Sequence, residues 1–125
     1  MGCGTGVLAI LAVMQGAENA MAVDYDHWSY ESTAENAVVN KTPEVQAVLG
    51  DASVLPVEET FDVIFANINK NILLNDMEAY EKCLKQEGFI YFSGFYENDL
   101  EDIKQRAKYL GLKYQNHKVK NNWTA

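Results

Sequence analysis

The chain has few cysteines, prolines and basic residues, and each shortage excludes a class of protein. Its 125 residues include two cysteines, two prolines and ten lysines and arginines. Cys3 and Cys83 have no Cys or His neighbour at a metal-ligand spacing, so neither a disulfide framework nor a metal site is predicted. We expect both thiols to be reduced and buried.

A long hydrophobic run and a positively charged leader are also missing. The longest apolar run, residues 7–14, has eight residues, whereas a membrane-spanning helix needs about 20. Ala20-Met21-Ala22 is similar to a signal-peptide cleavage site, but five carboxylates and no basic residue precede Lys41. We therefore predict no membrane association and a cytoplasmic protein.

Acidic residues outnumber basic ones, and the two are unevenly distributed. Eighteen Asp and Glu give a net charge of −8, which disfavours DNA or RNA as the main electrostatic partner and suits a basic substrate. Six basic residues lie late in the chain: Lys104, Arg106, Lys108, Lys113, Lys118 and Lys120. They form either the solvated face of a helix or a contact with RNA.

Size and hydropathy pattern predict one α/β domain. Hydrophobic residues make up 48% of the chain, and segments rich in β-formers alternate with segments of helical period. Strands are expected over 20–23, 45–49, 61–66, 89–92 and from 112 onward; helices are expected over 7–15, 27–40, 72–84 and 100–110. A reversal at 120–122 predicts an antiparallel hairpin.

Three of these segments carry specific burial predictions. The helix over 7–15 is apolar on every face, so it is expected to be buried all round. The strand over 61–66 is a nearly continuous apolar run, as in central parallel strands. The helix over 27–40 is expected to bury one stripe. That stripe contains Tyr30, Ala34, Ala37 and Val38.

The two ends of the sequence predict an incomplete domain. A glycine-rich turn such as Gly2-Cys3-Gly4-Thr5-Gly6 is expected to follow a buried strand, yet only Met1 precedes it. The other end, Trp123-Thr124-Ala125, falls within an expected edge strand. We expect residues 1–125 to form one domain that lacks its first strand and is incomplete at both ends.

The glycine-rich turn has the features of a nucleotide site, because glycine allows close backbone approach and the following helix offers free N–H groups. Residues 4–9 satisfy G-x-G-x-x-A with Asp24 twenty positions after Gly4, as in dinucleotide-binding folds. Residues 2–6 also satisfy the G-x-G-x-G turn of S-adenosylmethionine-dependent methyltransferases. A tight turn without a ligand is the third interpretation.

Later features favour a methyltransferase. Asp51 follows the strand over 45–49, which is the third strand when the missing first strand is counted. The methyltransferase class places an acidic residue near the adenine amino group there, although an ordinary loop carboxylate is an alternative. Asn67 ends a central strand, where the class places a residue facing the methyl donor; a helix N-cap or turn residue is the alternative. The tail suits the hairpin that closes the methyltransferase sheet.

Nearly the whole chain resembles the bacterial methyltransferases that modify lysine and N-terminal amines of the eleventh large-subunit ribosomal protein. The most specific segments are residues 2–10, 23–26, 66–68 and 122–123. The resemblance implies a Rossmann-like class I methyltransferase sheet with helices on both faces. It also implies S-adenosylmethionine as the cofactor and a ribosomal protein as the partner.

The resemblance further implies roles for individual residues. Asp24 matches the carboxylate that accepts the two ribose hydroxyls, and Asn67 matches the amide beside the methionine end. The expected cofactor-binding residues are Gly2, Gly4, Gly6, Asp24, Asp51 and Asn67. No catalytic residue is assigned, because the family's acidic residue before Gly2, its threonine site and its recognition domain lie outside this sequence.

Several alternatives stay open. Asn67-Ile68-Asn69-Lys70 lacks the Asn-Pro-Pro-aromatic signature of amide and base methylation, so an aliphatic amine is favoured over RNA or a small molecule. An inactive nucleotide-binding fragment is the alternative from a different class. Asp26 is interpreted chiefly as a helix N-cap, and Tyr25 either packs on adenine or belongs to the core.

Overall fold

A computed structural model describes residues 1–125, which divide into a first unit, Met1–Val54, and a second unit, Leu55–Ala125. The helices are α1 (Val7–Met14), α2 (His27–Val39), α3 (Lys70–Cys83) and α4 (Leu100–Tyr109). The strands are β1 (Ala20–Asp24), β2 (Val45–Leu49), β3 (Phe61–Asn67), β4 (Leu84–Ser93), β5 (Phe95–Tyr96), β6 (Val119–Lys120) and β7 (Trp123–Thr124). Helices and strands alternate as the hydropathy pattern predicted.

In the first unit, β1 and β2 form a parallel pair in register from Ala20 opposite Val45 to Asp24 opposite Leu49. α1 and α2 both contribute to the core beside this pair. The core residues are Ile10, Ala22, Ala37 and Val45. Parallel pairing with a helical crossover places Asp24 at the carboxyl end of its strand, directly after buried β1 residues.

The predicted burial of α1 and α2 is wrong in part. Only Ile10 of α1 is buried, because a two-stranded sheet covers one side of a helix and leaves the others exposed. α2 buries Thr33 and Ala37, whereas Val38 is 79% exposed and Ala34 is also exposed. Small side chains face inward because α2 approaches the glycine turn closely, and larger apolar residues do not fit there.

In the second unit, β3 and β4 form a parallel pair joined by α3, with Asn67 opposite Ser93 at the carboxyl end. The helix predicted over 72–84 is confirmed as α3, in which Leu73, Met77 and Tyr80 are fully buried. The prediction that β3 is buried on both faces is wrong. Only Ile64 and Ala66 are buried in β3. The opposite face carries Phe65 stacked on Tyr91, with ring centroids 5.4 Å apart.

The C-terminal region forms an antiparallel sheet in the order β5-β7-β6. The predicted reversal is confirmed: Asn121 and Asn122 have φ of 51° and 65°, left-handed values that asparagine tolerates in hairpin turns. The helix predicted over 100–110 is confirmed as α4, and Gly111 follows it with φ at 83°. The strand expected from residue 112 onward is shorter than predicted: it begins at Val119, and Lys118 before it exchanges two backbone hydrogen bonds with Ala125.

An ion-pair group joins the first turns of α3 and α4. Lys70 Nζ lies 2.9 Å from Asp99 Oδ1 and 3.1 Å from Asp102 Oδ2. The Tyr96 backbone N–H donates to Asp99 Oδ2 at 3.1 Å. The pKa of Asp99 lies below its ordinary value, mainly because Lys70 donates to its carboxylate and secondly because the Tyr96 N–H does so. The carboxylates of Asp99 and Asp102 in turn raise the pKa of Lys70.

We expect this group to make the protein sensitive to acid. Because the pKa of Asp99 is lower in the folded chain, its stabilisation is complete above the ordinary value of 3.8 and is lost as the pH falls through the lowered pKa. Urea midpoints measured from about pH 7 to about pH 2 should therefore fall less steeply for Asp99→Asn than for the parent. Glu59→Gln, at an exposed carboxylate without an ion pair, should keep the parental slope; identical slopes for all three proteins would contradict the prediction.

Candidate functional site

The glycine turn before α1 depends on left-handed backbone geometry. Gly2, Gly4 and Gly6 have φ of 65°, 55° and 78°, values that residues with a Cβ rarely adopt. A Cβ on Gly4 would meet no atom within 4 Å, so open space lies beside the backbone there. A Cβ on Gly6 would lie 2.8 Å from Thr33 Cγ2. Gly4 therefore borders room for a ligand, whereas Gly6 allows α2 to pack against the turn.

Asp24 joins this turn to the start of α2. Its Oδ2 accepts from the Gly4 N–H at 2.9 Å, and its Oδ1 accepts from the Asp26 N–H at 3.1 Å. The residue is only 8% exposed. Since a carboxylate has about four acceptor positions, each oxygen keeps one for a further donor. The site thus offers a fixed pair of acceptors beside a glycine turn, an arrangement that suits vicinal hydroxyls.

Two polar residues of α2 that the sequence analysis missed support the turn. Thr33 Oγ1 donates to the Gly4 carbonyl at 3.1 Å and lies 3.2 Å from Cys3 Sγ. Asn36 Nδ2 donates to the Thr5 carbonyl at 2.9 Å. Burial raises the pKa of the Cys3 thiol, which therefore stays protonated and can donate to Thr33. The three-residue spacing of two polar side chains on α2 was the available signal.

The structure places Asp51 near the end of β1. The Gly50 N–H donates to the Asp24 carbonyl at 2.9 Å, which fixes the residue that precedes Asp51. Asp51 itself is exposed, and its Oδ1 accepts from the Ser53 N–H at 2.9 Å. Hydrogen bonds from Ser53 lower the pKa of Asp51. Asp51 is therefore an ionised acceptor on a loop, which is compatible with both of its interpretations.

The structure decides between the interpretations of Asp26 and limits those of Tyr25, two residues near Asp24. Asp26 is the N-cap of α2, because its Oδ2 accepts from the Ser29 N–H at 3.2 Å and from Ser29 Oγ at 3.0 Å, so the capping interpretation is confirmed. Tyr25 is 76% exposed, so its interpretation as a core residue is wrong. The exposed ring of Tyr25 follows Asp24 directly, at the carboxyl end of β1.

In the second unit, Asn67 ends β3 with an exposed side chain. The N-cap of α3 is Asn69, whose Oδ1 accepts from the Ile72 N–H at 3.2 Å, so the N-cap interpretation of Asn67 is wrong. Gly94, with φ at 88°, was missed by the sequence analysis. A Cβ there would lie 2.7 Å from Asn67 Oδ1, so Gly94 leaves space for this amide.

Asn67 borders a cavity of about 600 Å³ within the second unit. Trp123 forms part of the lining and packs on Tyr96 with ring centroids 4.7 Å apart. Lys118 and Lys120 also line this cavity. No group of three His, Cys, Asp or Glu side chains is placed to hold a metal ion, and no helix has the length and hydropathy of a membrane span.

The fold is that of class I methyltransferases, as predicted. The chain is similar to the crystal structure of ribosomal protein L11 methylase from Lactobacillus delbrueckii subsp. bulgaricus, with a TM-score of 0.87 and 29% identity, covering 98% of this chain and 64% of that one. The crystal structure of M. jannaschii TYW2 in complex with AdoMet has a TM-score of 0.78 at 21% identity, over 99% of this chain and 63% of that one, which supports the fold alone.

The sequence pattern of the ribosomal protein L11 methyltransferase (PrmA) family matches residues 1–125, and the chain belongs to this family. Ribosomal protein L11 methyltransferases from Bacteroides thetaiotaomicron and Porphyromonas gingivalis are both 46% identical to it over 125 residues. The chain is covered completely in both comparisons but spans only 45% and 43% of those relatives. The predicted family resemblance is confirmed.

We expect the Thr33 hydroxyl to stabilise the glycine turn. Thr33→Val keeps the shape of the side chain but leaves the Gly4 carbonyl without its donor, which should lower the free energy of unfolding by about 1–3 kcal/mol. Thr33→Ser keeps the hydroxyl and should cost about 1 kcal/mol through the lost methyl group. Urea unfolding measures both variants, and a larger loss in Thr33→Ser than in Thr33→Val would contradict this role.

Proposed function

We propose that this chain binds S-adenosylmethionine and acts, as one methyltransferase domain over residues 1–125, in the methylation of a ribosomal protein. The observation that carries the proposal is the Asp24 carboxylate, fixed by the Gly4 and Asp26 N–H groups beside a glycine turn with open space. Ribose hydroxyls are donors, and a carboxylate that is held in place accepts both without reorganisation.

The residues present fit this cofactor. Gly2, Gly4 and Gly6 form the turn against which its methionine and ribose portions would lie, and Asp24 would accept from the ribose hydroxyls. Asp51, an exposed carboxylate that accepts from the Ser53 N–H, would accept from the adenine amino group. The bound cofactor supplies a methyl group made electrophilic by a sulfonium charge.

A lysine or N-terminal amine of the ribosomal protein is the proposed acceptor. The relatives carry the name ribosomal protein L11 methyltransferase, and the net charge of −8 suits encounter with a basic protein. A lysine amine has an ordinary pKa of about 10.4 and must lose a proton before it can attack. The exposed Asn67 amide would then accept from the amine N–H and orient its lone pair.

We expect Asp24→Ala to weaken binding of S-adenosylhomocysteine by about 10- to 100-fold, because one or two charged hydrogen bonds are lost. Calorimetry on the chain measures the change. Asp26→Ala is the matched control: it removes a carboxylate two positions away together with the α2 N-cap, and it should lower stability while leaving the affinity within about twofold. Preference of the parent for NAD, or equal losses in both variants, would contradict the proposal.

Asn67→Ala should lower the rate of methyl transfer by about 10- to 100-fold, more than it weakens cofactor binding, because the amide is proposed to position the amine as well as to lie beside the cofactor. Transfer of tritium from labelled S-adenosylmethionine to purified ribosomal protein L11 measures the rate at saturating cofactor. Asn69→Ala, which removes the N-cap of α3, should keep the parental rate and lose about 1 kcal/mol of stability. Equal rates for Asn67→Ala and the parent would exclude the positioning role.

A further inference from the structure

The charges of this chain are segregated along the sequence. Residues 103–125 contain six of the ten Lys and Arg and none of the eighteen Asp and Glu. The acidic surface described above therefore belongs to residues 1–102, and the C-terminal region of the second unit is basic. Such an asymmetry indicates a separate electrostatic partner for the basic region.

The structure shows which of these cations lack an acidic partner. Lys104 and Arg106 form ion pairs with Glu101 and Glu78, at 3.5 Å and 3.7 Å. Four exposed lysines of the region form no ion pair: Lys108, Lys113, Lys118 and Lys120. By contrast, three of the four lysines outside the region are paired with carboxylates, namely Lys70, Lys82 and Lys85. The C-terminal region thus presents uncompensated positive charge, unlike a helix face laced with salt bridges.

Two of the unpaired lysines, Lys108 and Lys113, border one groove. Lys104, Lys108, Lys113 and Tyr114 line a cavity of about 550 Å³ on α4 and the segment after it. Lys104 Nζ lies 4.8 Å from the centre of the Tyr114 ring, and the Tyr114 hydroxyl lies 2.6 Å from His117 Nδ1. Glu101 also lines the groove, where it pairs with Lys104.

Aromatic rings lie among these cations. Tyr114 is 49% exposed beside the groove, and Tyr109, at the end of α4, is 80% exposed. An exposed ring next to uncompensated lysines matches the two needs of a single-stranded nucleic acid, because bases stack on aromatic faces while phosphates pair with cations. An acidic peptide would use the lysines and leave the rings without a role. A membrane would require exposed apolar side chains to insert, and the only aliphatic side chain that lines the groove, Leu112, is half-buried.

We propose that the groove of Lys104, Lys108, Lys113 and Tyr114 binds single-stranded RNA. Lys108 and Lys113 contact phosphates, and the Tyr114 ring, held by its hydroxyl contact with His117, stacks on a base. A duplex fits less well, because its base faces are already stacked. The proposal goes beyond the proposed methyl transfer and involves none of the residues assigned to it. The proposed RNA contact lies in the basic C-terminal region, whereas residues 1–102 carry all the acidic residues.

The salt dependence of RNA binding tests the phosphate contacts. Fluorescence anisotropy of a labelled ten-nucleotide uridylate RNA measures affinity for the chain at 50 mM and 200 mM salt. The double variant Lys108→Gln with Lys113→Gln should bind about tenfold more weakly and reduce the slope of log K against log salt by about 1.4. The control, Lys82→Gln with Lys85→Gln, changes the net charge equally and should bind as the parent does. Equal losses in both double variants would overturn the proposal.

Stacking is tested at Tyr114. Tyr114→Ala should weaken binding of the same RNA by about 5- to 100-fold, whereas Tyr114→Phe should keep most of the affinity because it keeps the ring. Affinity for S-adenosylhomocysteine should be the same in all these variants, so failure of this proposal is distinguishable from failure of the proposed function. Tighter binding to polyglutamate of ten residues, or to phosphatidylserine vesicles, than to the RNA would assign the groove to another partner and overturn the proposal.

Discussion

The geometry of the first unit depends on the hydrogen bonds that the Asp24 carboxylate accepts. Its two oxygens hold the Gly4 and Asp26 N–H groups, so one side chain ties the end of β1 to both the glycine turn and the start of α2. The left-handed glycines allow the turn to curve around it, and Thr33 secures the turn from the side of α2. A carboxylate held in this way is already oriented for further donors, which lowers the ordering cost of binding.

In the second unit, different residues near the end of β3 cap the next helix, leave space for a side chain and form ion pairs. Asn69 caps α3, which leaves Asn67 at the end of β3 with an exposed amide. Gly94 on the adjacent segment keeps space beside that amide. The ion pairs of Lys70 join α3 to α4 through surface groups. Because Asn69 caps α3, the Asn67 amide has no capping role.

The acidic and basic residues of this chain lie in different regions, which favour binding partners of opposite charge. The acidic residues all lie within residues 1–102, where they favour approach of a basic protein. The unpaired lysines of the C-terminal region favour a polyanion. The two regions meet at α4, where Lys104 and Arg106 pair with Glu101 and Glu78, and the net charge of −8 describes neither of them.

The sequence by itself determined the helices and strands, the glycine turn, and the location of Asp24 and Asn67 at strand ends. These features follow from hydrophobic periodicity and helix stop signals, which are local properties of the chain. Tertiary structure alone decided which face of each element is buried. α2 turns Thr33 and Ala37 inward instead of Val38, and β3 is covered on one face only. Thr33, Asn36 and Gly94 became recognisable only in three dimensions. Their roles follow from how closely segments distant in sequence approach one another, and hydropathy does not encode that distance.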